Sequence, residues 1–119
     1  MSFETDLVNL LNPLVDSLVF WDVTPDGFKG YPFIVLQQVG GRSGWYLESE
    51  LPSHKHARIQ IECYGKGRQA AGDLARLVEK TICESITVSE PYGAFASGYE
   101  HALKLNQTRQ DFGFWYPDI

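Results

Sequence analysis

Two histidines one residue apart, His54 and His56, are the first pair in this sequence whose spacing could serve chemistry. On a strand both imidazoles would point to one face, the least geometry that lets two side chains share a metal ion. Glu48 or Glu50 could add an oxygen ligand. The spacing places no third ligand, and two histidines beside a loop edge are commonly just solvated, so no metal is assigned. The two cysteines, Cys63 and Cys83, lie twenty positions apart and form no C-x-x-C pair for zinc or redox chemistry. Cys63 continues the alternation of Ile59 and Ile61, which reads as a small buried hydrophobe. A thiol nucleophile assisted by His101 stays open, although nothing in the sequence links the two. Gly65-Lys66-Gly67-Arg68 precedes a helical pattern and could cradle a phosphate at a helix N-terminus. It lacks the Gly-Lys-Ser/Thr of a P-loop and the GxGxxG of a dinucleotide site, so a tight strand-to-helix connection is the simpler reading. No nucleophile-elbow signature accompanies the serines.

The aromatic residues carry more information. Trp45 and Tyr46 sit in a glycine-bounded stretch outside any clean core pattern, flanked by Arg42, Glu48 and Glu50. Aromatic groups so placed either anchor protein interfaces or fold back over the sheet. Phe112-Gly113-Phe114-Trp115-Tyr116 puts aromatic rings on both faces of one strand. One face can reach the core, and the other needs cover from a loop or a second subunit. Candidate interface residues are therefore Arg42, Trp45, Tyr46, Glu48, Glu50, Phe112, Phe114 and Trp115.

These residues must be positioned by elements that the sequence pattern outlines. Phe3, Leu7, Leu10/Leu11, Leu14/Val15 and Leu18 recur at three- and four-residue steps and predict a helix over 3–18, with Ser2 as its cap. Pro13 should kink or split that helix near Asn12. Residues 19–23 read as a short strand, and Thr24-Pro25-Asp26-Gly27 as a turn. Residues 32–39 form the clearest strand, near-continuous in apolar residues and stopped by Gly40-Gly41. Residues 40–53 are the longest loop. Beyond it, Ile59, Ile61 and Cys63 alternate with Arg58, Gln60 and Glu62 across a strand with one wet face. Strands two and three should then form an antiparallel hairpin with a long arm. Ala71, Leu74, Ala75, Val78 and Ile82 mark a second helix over 68–84. Residues 86–88 read as a short strand, 90–101 as ambiguous, and 103–116 as a strand or hairpin. This order implies an α+β fold: an antiparallel sheet with two helices packed on one face.

The chain has 119 residues and a mass of 13.4 kDa, enough for one domain over 1–119. Ten basic residues against fifteen acidic ones give a net charge of -5, with a sequence pI near 5.0. That balance argues against a dominant basic nucleic-acid surface and against a polybasic membrane binder. The N-terminal residues carry two acids and no basic stretch, so no export signal and a reduced cytosolic compartment are expected. No apolar run is long enough to span a membrane.

Four segments, taken in order, resemble the bacteriophage tail-completion, or tail-terminator, family. Pro32-Phe33-Ile34-Val35-Leu36-Gln37 is similar to its Pro-Tyr/Phe-hydrophobic-Val-x-Gln strand. Arg58-Ile59-Gln60-Ile61-Glu62-Cys63-Tyr64-Gly65 resembles the strand after its long loop. The helix with Ala70, Ala71, Leu74, Ala75 and Val78 stands where that family has its second helix, and Arg109-Gln110-Asp111-Phe112-x-Phe114 resembles its last strand. Residues 86–102 match no part of the pattern. The resemblance implies a small α+β subunit that forms a homo-oligomeric ring, commonly a hexamer, at the head-proximal end of a long tail. Such a ring stops tube growth and joins tail to head. Its implied partners are other copies of itself, the major tail tube protein and a head-completion or neck protein. DNA would pass through the channel without specific binding, beside acidic residues such as Glu48 and Glu50. It would be a structural protein, not an enzyme, with no cofactor, no metal and no membrane partner, assembled in the bacterial host cytoplasm and located in the virion tail. Three other readings remain open: a head–tail connector, a small metal-dependent hydrolase built on His54 and His56, and a ligand-binding domain with a pocket behind Trp45.

Overall fold

A computed structural model describes residues 3–40, 54–85 and 89–117. Helix α1 (Phe3–Leu11) buries Leu7 and Leu11, spaced one helical turn apart, and carries Glu4 and Asp6 in its first turn, where the helix dipole favours negative charge. It ends where Pro13 interrupts the backbone, and the chain continues as one 3₁₀ turn, Asn12–Leu14. The single helix expected over 3–18 is thus split at Asn12, and Asp16 and Ser17 then take positive φ to turn the chain into the sheet.

Strands β1 (Val19–Trp21), β2 (Phe33–Gly40) and β3 (His54–Gly65) follow, then helix α2 (Arg68–Ser85), β4 (Ser89–Pro91), β5 (Ala96–Glu100) and β6 (Leu105–Pro117). Six strands form one sheet in the order β1-β2-β3-β6-β4, and β5 also pairs with β6. β6 is the backbone of this sheet. It pairs with β3 from His54↔Pro117 to Gly65↔Asn106, and on its other side with β4 and then β5. The α+β class holds, but the expected all-antiparallel sheet is corrected to a mixed one, because β1 runs parallel to β2. The cause is the connection over 22–32. A parallel neighbour cannot be reached by a tight turn and needs about a dozen residues of crossover. These residues supply it, anchored at one end by the Asp22 N–H donating to the Leu36 carbonyl at 2.8 Å.

Both helices lie on one face. Leu7, Leu11 and Val15 meet Leu74, Ala75, Val78 and Ile82 above Ile34, Leu36, Ala57, Ile59, Ile61, Cys63, Phe112 and Phe114. Every second residue of β3 and β6 thus enters the core, as strand geometry requires. Phe3 closes the end of this layer, stacked on Tyr116 with ring centroids 4.8 Å apart and tilted against Phe114 at 5.3 Å. The strand-to-helix connection is tight. A Cβ on Gly65 would lie 2.9 Å from the Ala71 nitrogen in the first turn of α2, and Gly67 takes φ +100°. Glycines at these two positions follow from that close approach and that backbone angle.

Helices leave the opposite face of the sheet bare. Part of it is covered by a second apolar cluster of Phe33, Val35, Tyr64 and Leu105, with Phe20, Phe28 and Leu103 packed around it. β2 is therefore apolar on both faces over Phe33–Leu36 and exposed over Gln37–Gly40. Its first half lies between the two clusters, and its second half runs past the end of β1.

Candidate functional site

The polar side chains of β3 and β6 converge on the helix-free face. Alternation puts His56, Arg58, Gln60, Glu62 and Tyr64 there from β3, and register sets Trp115, Gly113, Asp111, Arg109 and Gln107 opposite them. The Arg58 Nε donates to Asp111 Oδ2 at 2.9 Å. Arg109 Nε faces Glu62 Oε2 at 3.8 Å. Gln107 Nε2 donates to Glu62 Oε2 at 2.8 Å and to the Tyr64 hydroxyl at 3.0 Å. The Tyr64 hydroxyl donates in turn to Glu62 Oε1. Glu62 thus gathers three neighbours. Burial, then the charge of Glu62 and its hydrogen bond, push the Tyr64 phenol up to about 12.

At the other end of this face, Tyr92 lies across Gly113. Its hydroxyl donates to Glu90 Oε1 at 3.1 Å and stands 3.2 Å from His56 Nε2. A phenol has one proton, so with that proton on Glu90 the His56 Nε2–H is the donor to Tyr92. Arg58 stacks over the Tyr92 ring at 4.7 Å, and Trp115 meets the His56 ring edge-on at 4.9 Å. Gly113 makes this possible: a Cβ there would collide with the Tyr92 hydroxyl and lie 2.9 Å from His56 Nε2. The arrangement ties the β4–β5 connection to β3 and β6. His56 is 7% exposed and buried within it.

The sequence candidates divide sharply. Phe112 and Phe114 are corrected: both are 0% exposed beneath the helices and are core residues, closed to a partner. Their parity sends them to the same side as Ile59 and Ala57, their register partners on β3. Trp115, of opposite parity, stays half-buried on the helix-free face. Arg42, Trp45, Tyr46, Glu48 and Glu50 lie outside the described residues, as do the side chain of His54, any pocket behind Trp45 and the strand expected at 86–88. Among the described residues no three His, Cys, Asp or Glu side chains come together as a metal site. Cys63 is buried against α2, and that burial pushes its thiol up to about 12, opposed by a hydrogen bond with Thr108. A thiol held so far up is not a poised nucleophile. His101 instead packs edge-on against Tyr99 in an exposed turn.

One feature of the helix-free face escaped the sequence reading. At the end where β3 stops and β6 starts, a cleft of about 690 Å³ opens between the 24–31 loop and the turn at 102–104. Lys29, Lys66 and Lys104 all line it. Their separation in the sequence gave no signal of this convergence; only Lys66, inside the Gly65-Lys66-Gly67 breaker, stood near a motif.

No family model matches the chain, and no curated protein matches it. Among the described residues no helix is long and apolar enough to cross a membrane.

Proposed function

We propose that this protein is a tail-completion, or tail-terminator, subunit of a long-tailed phage or prophage. It acts as a structural component: copies close into a ring, hexameric in the resemblance, that caps the tail tube and receives the neck of the head. The observation that supports this reading is spatial. The four segments that carry the resemblance are neighbours in the fold: β2, β3 and β6 are consecutive strands of the sheet, and α2 packs on them. Segments similar to those of the family therefore form one contiguous unit rather than scattered pieces.

Two further features fit. β2 presents Gln37–Gly40 beyond the reach of β1 just before the chain enters residues 41–53, where an arm reaching a neighbour would begin. An excess of acid residues suits a ring through which DNA must pass without adhering, since like charges repel. A closing ring also needs two different complementary surfaces on each copy, and the exposed half of β2 is one candidate.

Light scattering across a concentration series, with negative-stain microscopy, tests the assembly. Rings, or a monomer that becomes rings on concentration, are expected. A strict monomer at every concentration, with no rings on the grid, overturns the reading. Deleting residues 42–50 should leave the folded core intact and abolish tail joining in a complementation assay. Immunolabelling of separated tails and heads distinguishes a terminator, found on tail ends, from a head–tail connector, found on filled heads.

A further inference from the structure

The lysine cleft at the end of the sheet has a chemistry distinct from the rest of the surface. In a chain with five net negative charges, it sets three lysines against one acid, Asp26. The described arginines on the helix-free face are already matched: Arg58 by Asp111, Arg109 by Glu62. Arg76 on α2 has Asp73. Among the described residues, Lys29, Lys66 and Lys104 make no ion pair; Lys66 only lies over the Tyr31 ring at 5.6 Å. Three lysines against a single acid leave the cleft with an excess of positive charge, which favours an anion entering it.

Aromatic and apolar side chains form much of the rest of the cleft. Phe28 is pinned edge-on between Phe20 at 5.1 Å and Phe33 at 5.2 Å, which fixes the 24–31 loop against the sheet. Gly30 permits this, since a Cβ there would lie 2.7 Å from the tip of the Phe28 ring. Tyr31 offers a half-exposed aromatic face, and Leu103 and Leu105 form apolar wall opposite. The opposite wall is the turn that carries Lys104 at φ +57°, held by the Ala102 N–H donating to Glu100 at 3.1 Å. A volume of about 690 Å³ falls in the range of small-ligand sites, about 300–1,000 Å³.

We propose that this cleft binds a small organic anion in which two or more negative charges are joined to a flat ring, the chemistry of a nucleoside diphosphate. The charged group lies among Lys29, Lys66 and Lys104, and the ring lies against Tyr31 and Leu103. The site stands on the cleft alone and does not depend on the tail-terminator reading.

Titrations of the whole chain, followed by ¹⁵N–¹H correlation spectra at low salt, test it with three probes: ADP, pyrophosphate and adenosine. ADP should bind with shifts concentrated at residues 24–31, 66 and 102–105, and should bind more tightly than either half alone. Lys66→Gln and Lys104→Gln should each weaken ADP by about tenfold, the loss of one charge-assisted contact. Lys80→Gln, on the exposed side of α2, should leave it unchanged. Spectra of the variants that keep the wild-type dispersion establish that they are folded. No ADP binding at millimolar concentration overturns the proposal. So do shifts spread away from the cleft, equal binding of pyrophosphate and ADP, or equal weakening by Lys80→Gln.

Discussion

The two faces of this sheet are made by the same strands and do opposite things. On β3, Ile59, Ile61 and Cys63 face the helices and are at most 2% exposed. Arg58, Gln60 and Glu62, interleaved with them, face away, and Arg58 and Glu62 find side-chain partners on β6. The covered face is held by burial of apolar area, which is not directional and adds up over many contacts. The bare face is held by specific pairs, each worth little while it remains open to water. Stability should therefore reside on the helix side. The bare side should tolerate change, except where a side chain is enclosed.

The largest expected effect is on the covered face. Phe112→Ala removes a ring that is 0% exposed among Ile59, Leu74 and their neighbours. A loss of about 3–5 kcal/mol is expected by urea denaturation, the range for a buried aromatic truncation that leaves a cavity. Trp115→Ala, three residues along the same strand but half-exposed on the other face, should cost clearly less. Equal losses would show that Trp115 is packed as tightly as the residues beneath the helices, and the contrast between the two faces would fail.

Raising the pH sharpens the same contrast, because enclosed groups are found on both sides. The Cys63 thiol is raised by burial from an ordinary value of 9.0 to about 12. Between those values the unfolded chain has lost a proton that the folded chain keeps. Stability is therefore full below about pH 9 and falls as pH rises toward 12, at up to about 1.4 kcal/mol per pH unit. Tyr64, on the helix-free face and surrounded by Glu62, Glu100 and Arg109, is raised from 10.0 to about 12 and adds to the fall above pH 10. Thermal melts from pH 8 to 11 should show a drop of about 3–4 kcal/mol, the larger part of it from Cys63. Cys63→Val should remove most of the slope that begins at pH 9, and Tyr64→Phe the part that begins at pH 10. A wild-type curve flat to pH 11 would mean that neither group is enclosed as described.

The sequence made the covered face readable and the bare one only in part. Ile59, Ile61 and Cys63 at period two, and Leu74, Ala75, Val78 and Ile82 at helical spacing, are local patterns set by backbone periodicity, and they placed β3 and α2 to within a few residues. Pro13 announced the break in α1 for an equally local reason. The direction of β1 was not readable, because it depends on how residues 22–32 fold back through the contact of Phe28 with Phe20 and Phe33. Residues 90–101 are ambiguous in the sequence because β4 and β5 are only three and five residues long. They exist through pairing with β6 rather than through propensity of their own. Phe112 and Phe114 read as surface candidates because strand parity says which residues share a face, not which face is covered. The cleft was invisible for the same reason: Lys29, Lys66 and Lys104 meet only once three connections come together at one end of the sheet.

Gly113 is the place where the bare face behaves like the covered one. Gly113→Ala would drive a methyl group into the Tyr92 hydroxyl and toward His56 Nε2. Overpacking of this kind costs about 1–3 kcal/mol. Tyr92→Phe removes the hydroxyl from the collision, so the double variant should recover part of the loss relative to Gly113→Ala alone, measured by denaturation. Absence of any recovery would locate the clash at His56 Nε2 or the Tyr92 ring carbon instead of at the hydroxyl.

The smallest effect is expected at the ion pair that looks strongest. Arg58 and Asp111 meet at 2.9 Å, but their side chains are 46% and 22% exposed. Water screens the pair, and ordering two side chains opposes the attraction. A double-mutant cycle with Arg58→Ala and Asp111→Ala should give a coupling below about 1 kcal/mol, shrinking further as sodium chloride is raised. Arg58→Ala alone should cost more than the coupling, because the guanidinium also covers the Tyr92 ring and that contact does not need Asp111. A salt-insensitive coupling of several kcal/mol would mean that water is excluded from this face. An exposed sheet face becomes dry when another surface covers it, so repeating the cycle across a protein concentration series separates an isolated face from a covered one. A coupling that grows only in the assembled form would identify the helix-free face as the contact between copies.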